Sequence, residues 1–174
     1  MLLTRLLNIQ DGKIIEIRRA KPDDAQGIID CFNDVMSEGI YLLGERYLGD
    51  IDFLEMRIND EMNELFLVAI YNKKVVGVLT LTRESFKKNN HVAFLGIAII
   101  KDFRHRGIGK AMMETSFEWA KQMGIEKICL EVFSTNTNAI ELYKKMGFEI
   151  EGIRKKQFKI EGEYVDDVLM AKFL

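Results

Sequence analysis

Residues 91–120 constrain this chain more than any other stretch. Val92 to Ile100 is almost wholly apolar and rich in β-branched residues, which predicts a strand buried on both faces. Lys101 to Arg106 is a short charged turn. From Gly107 the pattern changes to helical spacing: Ile108, Ala111, Met112, Thr115, Trp119, Ala120 and Met123 fall on one face. A strand therefore leads through a basic, glycine-bearing turn into a helix. The first N–H groups of a helix have no internal partner, and its dipole places partial positive charge there. Gly107 and Gly109 let a ligand approach the backbone closely. Arg104, His105, Arg106 and Lys110 surround the turn with donors. An anion, most simply a phosphate, is the expected ligand.

Two common phosphate-binding patterns fail here. A nucleotide triphosphate loop needs Gly-x-x-x-x-Gly-Lys followed by Ser or Thr, but Lys110 is followed by Ala111 and no glycine stands at the required distance. A dinucleotide fold needs Gly-x-Gly-x-x-Gly, and its third glycine position is Met112. What remains, Arg104-x-x-Gly107-x-Gly109, resembles the pyrophosphate signature of the GNAT superfamily of N-acetyltransferases. A bare strand-to-helix turn with two glycines is the alternative for this block alone. A second block follows in the same order and at the usual separation. Lys127 to Ser134 reads as a strand. Then comes Asn136-Thr-Asn-Ala139-Ile-Glu-Leu-Tyr143-Lys-Lys-Met-Gly147-Phe148, which is similar to the family's Asn-x-x-Ala-x-x-Leu-Tyr followed by Gly-Phe. The resemblance covers roughly residues 14–173.

Composition narrows the partners. The 174 residues suit one domain, and the resemblance makes it a single N-acetyltransferase domain, 1–174 with its core about 14–173. A net charge of −2 leaves no overall basic footprint for nucleic acid, so the basic cluster at 101–110 is local. Cys31 and Cys129 are far apart in sequence, without metal-ligand spacing, and read as free buried thiols. No metal is expected. No apolar run reaches about 18 residues, so no membrane partner is expected. The opening residues are too short and interrupted for a secretory signal. A cytoplasmic protein is the expectation.

Along the chain, residues 1–13 read as a leader ending in the turn Asp11-Gly12. Ile14 to Arg19 is a first strand, and a helix starts around Pro22 and runs to about Ser37, closed by Gly39. Residues 38–49 are irregular. Asp50 to Asn63 reads as a second helix. Leu65–Tyr71 and Val75–Thr82 form a hairpin around Asn72-Lys73-Lys74. After the central strand, helix and fifth strand come a short helix near 139–145, a long strand Phe148–Phe158 and a last strand Tyr164–Phe173. Periodicity alone yields a mixed α/β domain. The resemblance implies α/β (α+β) of GNAT type: a mostly antiparallel central sheet with a splayed strand pair, flanked by helices on both faces.

The resemblance also implies chemistry: acetyl-CoA-dependent transfer of an acetyl group to a primary amine, by direct attack in a ternary complex. The backbone of Ile97, Ala98 and Ile99 on the central strand is expected to meet the pantetheine arm. The turn from Arg104 through His105, Arg106, Gly107, Ile108, Gly109 and Lys110 is expected to meet the pyrophosphate. Asn136 is expected to bond the amide arm, although an asparagine also suits a turn before a helix. Tyr143 is the expected proton donor to the leaving thiolate, against plain packing on its helix. Lys145 could reach an adenosine phosphate. The connection at 38–49, with Glu38 and Tyr41, is expected to wall the acceptor site; ordinary surface acids in a loop are the other reading.

The base is the least determined element. Glu131 lies between apolar strand neighbours, so it is either desolvated with a raised pKa or opens onto the cleft. The ribosomal-protein alanine N-acetyltransferases keep a glutamate at this point, five residues before the asparagine. A structural glutamate paired to a cation is the alternative. Glu84 and His91 are weaker candidates. The C-terminal segment around Arg154 and Asp166-Asp167 resembles a branch that includes phosphinothricin-type and diamine-type acetyltransferases, which favours a small-molecule amine. A peptide N-terminus and a non-catalytic acyl-CoA-binding domain are the competing readings, and a homodimer is left open.

Overall fold

A computed structural model describes residues 3–174. In chain order its elements are β1 (Thr4–Asn8), β2 (Ile14–Arg19), α1 (Ala25–Met36), α2 (Ile51–Ile58), β3 (Glu64–Tyr71), β4 (Lys74–Arg83), β5 (Val92–Ile99), α3 (Ile108–Gln122), β6 (Lys127–Phe133), α4 (Thr137–Lys145), β7 (Glu149–Ile160) and β8 (Glu163–Phe173). The framework is an eight-stranded sheet in the order β1-β2-β3-β4-β5-β6-β8-β7. Every neighbouring pair is antiparallel except β5 and β6. Among the described residues no helix is long and apolar enough to cross a membrane.

Helix ends follow local chemistry. Pro22 opens a 3-10 turn ahead of α1, and the Asp24 carboxylate accepts from the Lys21 N–H at 2.7 Å. Asp50 caps α2 by accepting from the Asp52 N–H. Gly107, at φ +81, turns the chain into α3 through a left-handed conformation that side chains resist. Asn136 caps α4, its carbonyl oxygen accepting from the Ala139 N–H at 3.3 Å.

Three expectations are corrected. The leader is a strand: β1 pairs with β2 from Thr4↔Arg18 to Asn8↔Ile14, so the sheet begins ahead of residue 14. Its side chains gave no sign, because Leu6 is exposed and the strand is held by its backbone ladder and an ion pair from Arg5 to Glu114 at 2.7 Å. The second helix ends at Ile58, not 63. Asp60 stops it by accepting from the N–H and side-chain amide of Asn63. And β5 is not buried on both faces. Ala93, Leu95 and Ala98 are buried, but Phe94 is 43% exposed and Gly96 is exposed too.

That exposure comes from the sheet itself. β5 pairs with β4 along its length, from Arg83↔Ala93 to Gly77↔Ile99. With β6 it pairs only at Val92↔Lys127, Ala93↔Ile128 and Phe94↔Cys129. Beyond Phe94 the two strands part. α3 packs on β2, β3 and β4, and a Cβ at Gly109 would sit 3.3 Å from Ile99 and 3.6 Å from Ile97 and Leu142. α3 and α4 therefore cover the face to which Ile97 and Ile99 point. α1 lies against β4 and β5. Strand alternation turns Phe94 and Gly96 to the face opposite Ile97 and Ile99.

Candidate active site

The opening between β5 and β6 leaves backbone groups without a ladder partner. The Ile100 N–H donates to the Val76 carbonyl and the Glu84 N–H to the Val92 carbonyl. With the register, these bonds direct the even-numbered residues of β5 toward β4. The N–H and C=O groups of Ile97 and Ile99 therefore face the gap. Ala98, expected with them, directs its backbone to Val78 instead. The Ile99 carbonyl already accepts from Arg104 Nε at 2.7 Å, which leaves the N–H groups of Ile97 and Ile99 and the carbonyl of Ile97.

At one end of the gap stands the start of α3. Its first N–H groups have no acceptor in the helix, since the helical bonds begin with the one from the Ala111 N–H back to the Gly107 carbonyl. A Cβ at Gly107 would meet nothing within 4 Å, so the space over the turn is open. The surrounding side chains are less free than their number suggests. Arg104 pairs through both Nη atoms with Glu38 and lies 4.6 Å from the Tyr41 ring centroid. Arg106 pairs with Asp11 and donates to the Asp102 carbonyl. Glu38, bonded by Arg104, has its carboxyl held below the ordinary range. Glu38 and Tyr41 thus fasten the α1–α2 connection to this turn. His105 is exposed, and Lys110 is exposed with Glu114 at 3.8 Å. An anion here meets chiefly backbone N–H groups, Ile108 and Gly109 included, with Lys110 a loosely held cation on the first turn of α3.

Tyr143 sits on α4, next to Leu142, which reaches Gly109 at the start of α3. It is 8% exposed, and its ring lies 5.8 Å from Phe148. Burial in that apolar setting pushes its phenol up to about 12. Asn136 spends its carbonyl oxygen on the cap of α4, and its amide N–H₂ is what could reach a ligand. Lys145 closes α4.

The other face of the gap opens into a cavity of about 380 Å³, lined among others by Glu84, Phe94, Cys129, Glu131, Arg154 and Leu169. β6 alternates as its sequence requires: Ile128, Leu130 and Val132 are buried, while Cys129 and Glu131 reach the cavity. Of the two readings for Glu131, the opening onto the cleft is the one found, since its side chain is 46% exposed. It is also paired, accepting from Arg154 Nη1 at 3.0 Å. The same Nη1 donates to Asp167 at 2.8 Å, and Asp167 is only 1% exposed. Burial, and then the charge of Glu131, push the Asp167 carboxyl up. Glu84 accepts from the Asn89 amide on the cavity wall. His91 is exposed and does not line this cavity. Cys31 is buried, as expected, and its thiol is pushed up to about 12 by burial. Cys129 is only half-buried and lines the cavity.

Sequence alone assigns Arg154 and Asp167 no individual role. They meet because β7 and β8 pair Arg154↔Asp167, with a register shift immediately after. The only sequence signal was an aspartate, Asp167, next to Val168 and Leu169 in an apolar strand.

A sheet opened at one strand pair, with a bare helix N-terminus on one side and a carboxylate-lined cavity on the other, defines an acyltransferase architecture. The chain matches the acetyltransferase (GNAT) family over residues 30–148, and it belongs to that family. An L-amino acid N-acetyltransferase of Escherichia coli K12 is 38% identical over 117 residues, 67% of this chain and 72% of that protein. An N-alpha-acetyltransferase of Sulfurisphaera tokodaii is 30% identical over 172 residues, covering 92% of this chain and 93% of that one. The crystal structure of a GNAT-family acetyltransferase from Streptococcus pneumoniae, 32% identical, superposes with a TM-score of 0.86 over 92% of this chain and 99% of that one. The protein is an N-acetyltransferase of this family, and its acetyl donor is acetyl-CoA.

Proposed function

We propose that this enzyme acetylates the primary amine of a small molecule by direct attack, with donor and acceptor bound together. The observation that carries the reading is the gap between β5 and β6, reached from the α3–α4 side and from the cavity. The donor's phosphates fit the open space over Gly107 and the N–H groups that begin α3. When bound there, acetyl-CoA supplies the activated acyl group.

The chain's own residues meet the three demands of the reaction. The amine must lose its proton before it attacks. A lysine-type amine has a pKa near 10, so neutralising it at pH 7 costs about 4 kcal/mol without help. Glu131 faces the cavity and accepts that proton directly or through water. The N–H of Ile97 or Ile99 donates to the oxygen that gains charge as the carbon–nitrogen bond forms. As the carbon–sulfur bond breaks, Tyr143 donates a hydrogen bond to the departing sulfur. A thiol has a pKa of about 8.5, so full transfer from a phenol at about 12 runs uphill by about 5 kcal/mol. Tyr143 therefore stabilises the thiolate by its O–H, and the proton finally placed on sulfur comes from the nitrogen that has just attacked, relayed by Glu131 or solvent.

A cavity of about 380 Å³ suits a small acceptor. The relative from Sulfurisphaera tokodaii, an N-alpha-acetyltransferase matched along 92% of this chain, favours a peptide N-terminus as the second reading. Free-thiol release from acetyl-CoA, measured across free amino acids, diamines and short peptides, separates the two. Turnover on small amines is expected. Turnover confined to peptides would transfer the assignment to the second reading, and the absence of thiol release with every amine tried would return the chain to acyl-CoA binding alone.

A further inference from the structure

The cavity wall pairs one carboxylate with one guanidinium, and the pairing is built from behind. Arg154 and Glu131 both line the cavity. Asp167 does not; it lies beneath them, buried, and bonds the guanidinium at 2.8 Å. Arg154 thus has its position set by a carboxylate that solvent does not reach. A guanidinium carries five N–H donors. Here one nitrogen, Nη1, makes both carboxylate bonds. Nη2 and Nε make none among the described residues, and the side chain is 47% exposed at the cavity. The other cation of the wall, Lys127, is tied to Glu151 at 2.6 Å. Arg154 is therefore the wall cation with a whole planar edge, Nη2 and Nε, left for a ligand.

We propose that Arg154, held by Asp167, reads a carboxylate on the acceptor, so that this site selects a free α-amino acid. The proposal rests on the acetyl-transfer reading above and names its substrate class. In an α-amino acid the nitrogen and the carboxyl carbon are bonded to the same atom, so their partners must be adjacent. Glu131 and Arg154 Nη1 are 3.0 Å apart. Glu131 takes the amine, and the unused edge of the guanidinium takes the carboxylate, a planar match that an ammonium cannot offer. A diamine would bring a second cation against Arg154. A peptide N-terminus has an amide where the carboxylate should be, and would leave charged donors unmatched in the cavity.

The test compares an L-amino acid with its amide, in thiol-release kinetics and in calorimetry on the CoA-saturated protein. The wild type is expected to favour the acid by roughly 10²-fold in kcat/KM, the range of a charge-assisted bidentate contact. Arg154→Met, combined with Asp167→Leu so that no buried carboxylate is left unpaired, should remove most of that preference, read as the ratio of kcat/KM for the acid to that for the amide within the same variant. Asp167→Asn alone keeps the cation but loosens it, and should raise KM for the acid more than it lowers kcat. An unchanged acid-to-amide ratio in folded Arg154→Met/Asp167→Leu, or a wild type that takes both equally, would overturn the proposal. If no amine is turned over yet the acid still binds at least tenfold tighter than the amide, and only with Arg154 present, the carboxylate site stands and the transfer reading falls.

Discussion

Tyr143 was identified from its place in a motif, and its surroundings refine what it can do. Buried beside Phe148, with its phenol pushed up to about 12, it stays protonated across the working pH range. It can stabilise a departing thiolate but is a poor source of the proton itself. Tyr143→Phe keeps the ring and its packing, so acetyl-CoA affinity should stay within about twofold. Turnover should fall by roughly 10²-fold, the weight of one well-placed donor to a developing anion. The remaining rate should not recover as pH rises toward 10, because no titrating group has been removed from that range. Equal turnover in the variant would leave Tyr143 a packing residue. Other residues were less legible. Glu131 stood out as a charge in an apolar strand, and the alternation of β6 was enough to place it on the face of Cys129. Arg154 and Asp167 were not recoverable as a pair, because twelve residues separate them and a register shift follows Arg154 on β7. Which residue opposes which across a hairpin depends on such bulges, and none is written in the local pattern.

At the scale of elements, the turn that opens α3 carries two glycines with different duties. Gly109 is buried, and a Cβ there would press on Ile99 at 3.3 Å and on Ile97 and Leu142 at 3.6 Å. It lets α3 settle against β5 and α4. Gly107 has open space over it but a φ of +81. Gly109→Val should therefore lower stability as well as donor affinity, by about 1–3 kcal/mol of overpacking. Gly107→Ala adds one methyl where the donor's phosphates are expected and forces a left-handed alanine, at about 1 kcal/mol. It should weaken acetyl-CoA binding at least tenfold with a smaller loss of melting temperature. Calorimetry and thermal melts of the two variants resolve the duties; a Gly107→Ala protein with wild-type affinity would remove the phosphates from this turn. The strand–turn–helix itself was legible because its period changes from strand to helix at Gly107. The opening beside it was not. An apolar run such as 92–100 reads as fully covered, and only pairing with β6 that stops at Phe94 exposes one face. β1 was missed for a related reason: an edge strand held by backbone bonds need not alternate.

Across the whole molecule, two arginine–carboxylate clamps tie distant parts of the chain to the donor turn: Arg106 holds Asp11 of the β1–β2 turn, and Arg104 holds Glu38 beyond α1. A third clamp, Arg18 on Asp24, is local to the start of α1. The carboxyls of all three are lowered. For Asp11 and Glu38 the bond from arginine is the main cause. For Asp24, burial pushes upward first, and the bonds from Arg18 and the Lys21 N–H outweigh it. A carboxyl whose folded pKa lies below its unfolded value near 4 contributes stability that is present above that value. The contribution is lost as pH falls through the folded pKa. Asp167 has the opposite sign. Burial and Glu131 raise it, so its contribution is complete only below about 4 and fades as pH rises through its folded pKa. Coming down from neutrality, Asp167 binds its proton first and favours the fold, and the clamps are lost last. Melting temperature should hold or rise slightly from pH 7 to about 5 and fall steeply below about 4. Glu38→Gln removes one clamp whose partners are each less than a quarter exposed. It should cost about 1 kcal/mol at pH 7, or about 2–4 °C for a chain of this length, and make the acid limb shallower. Scanning calorimetry of both proteins from pH 7 to 3 measures this. An acid limb of unchanged steepness in Glu38→Gln would show that the tie between Arg104 and the α1–α2 connection contributes nothing to the stability of the fold.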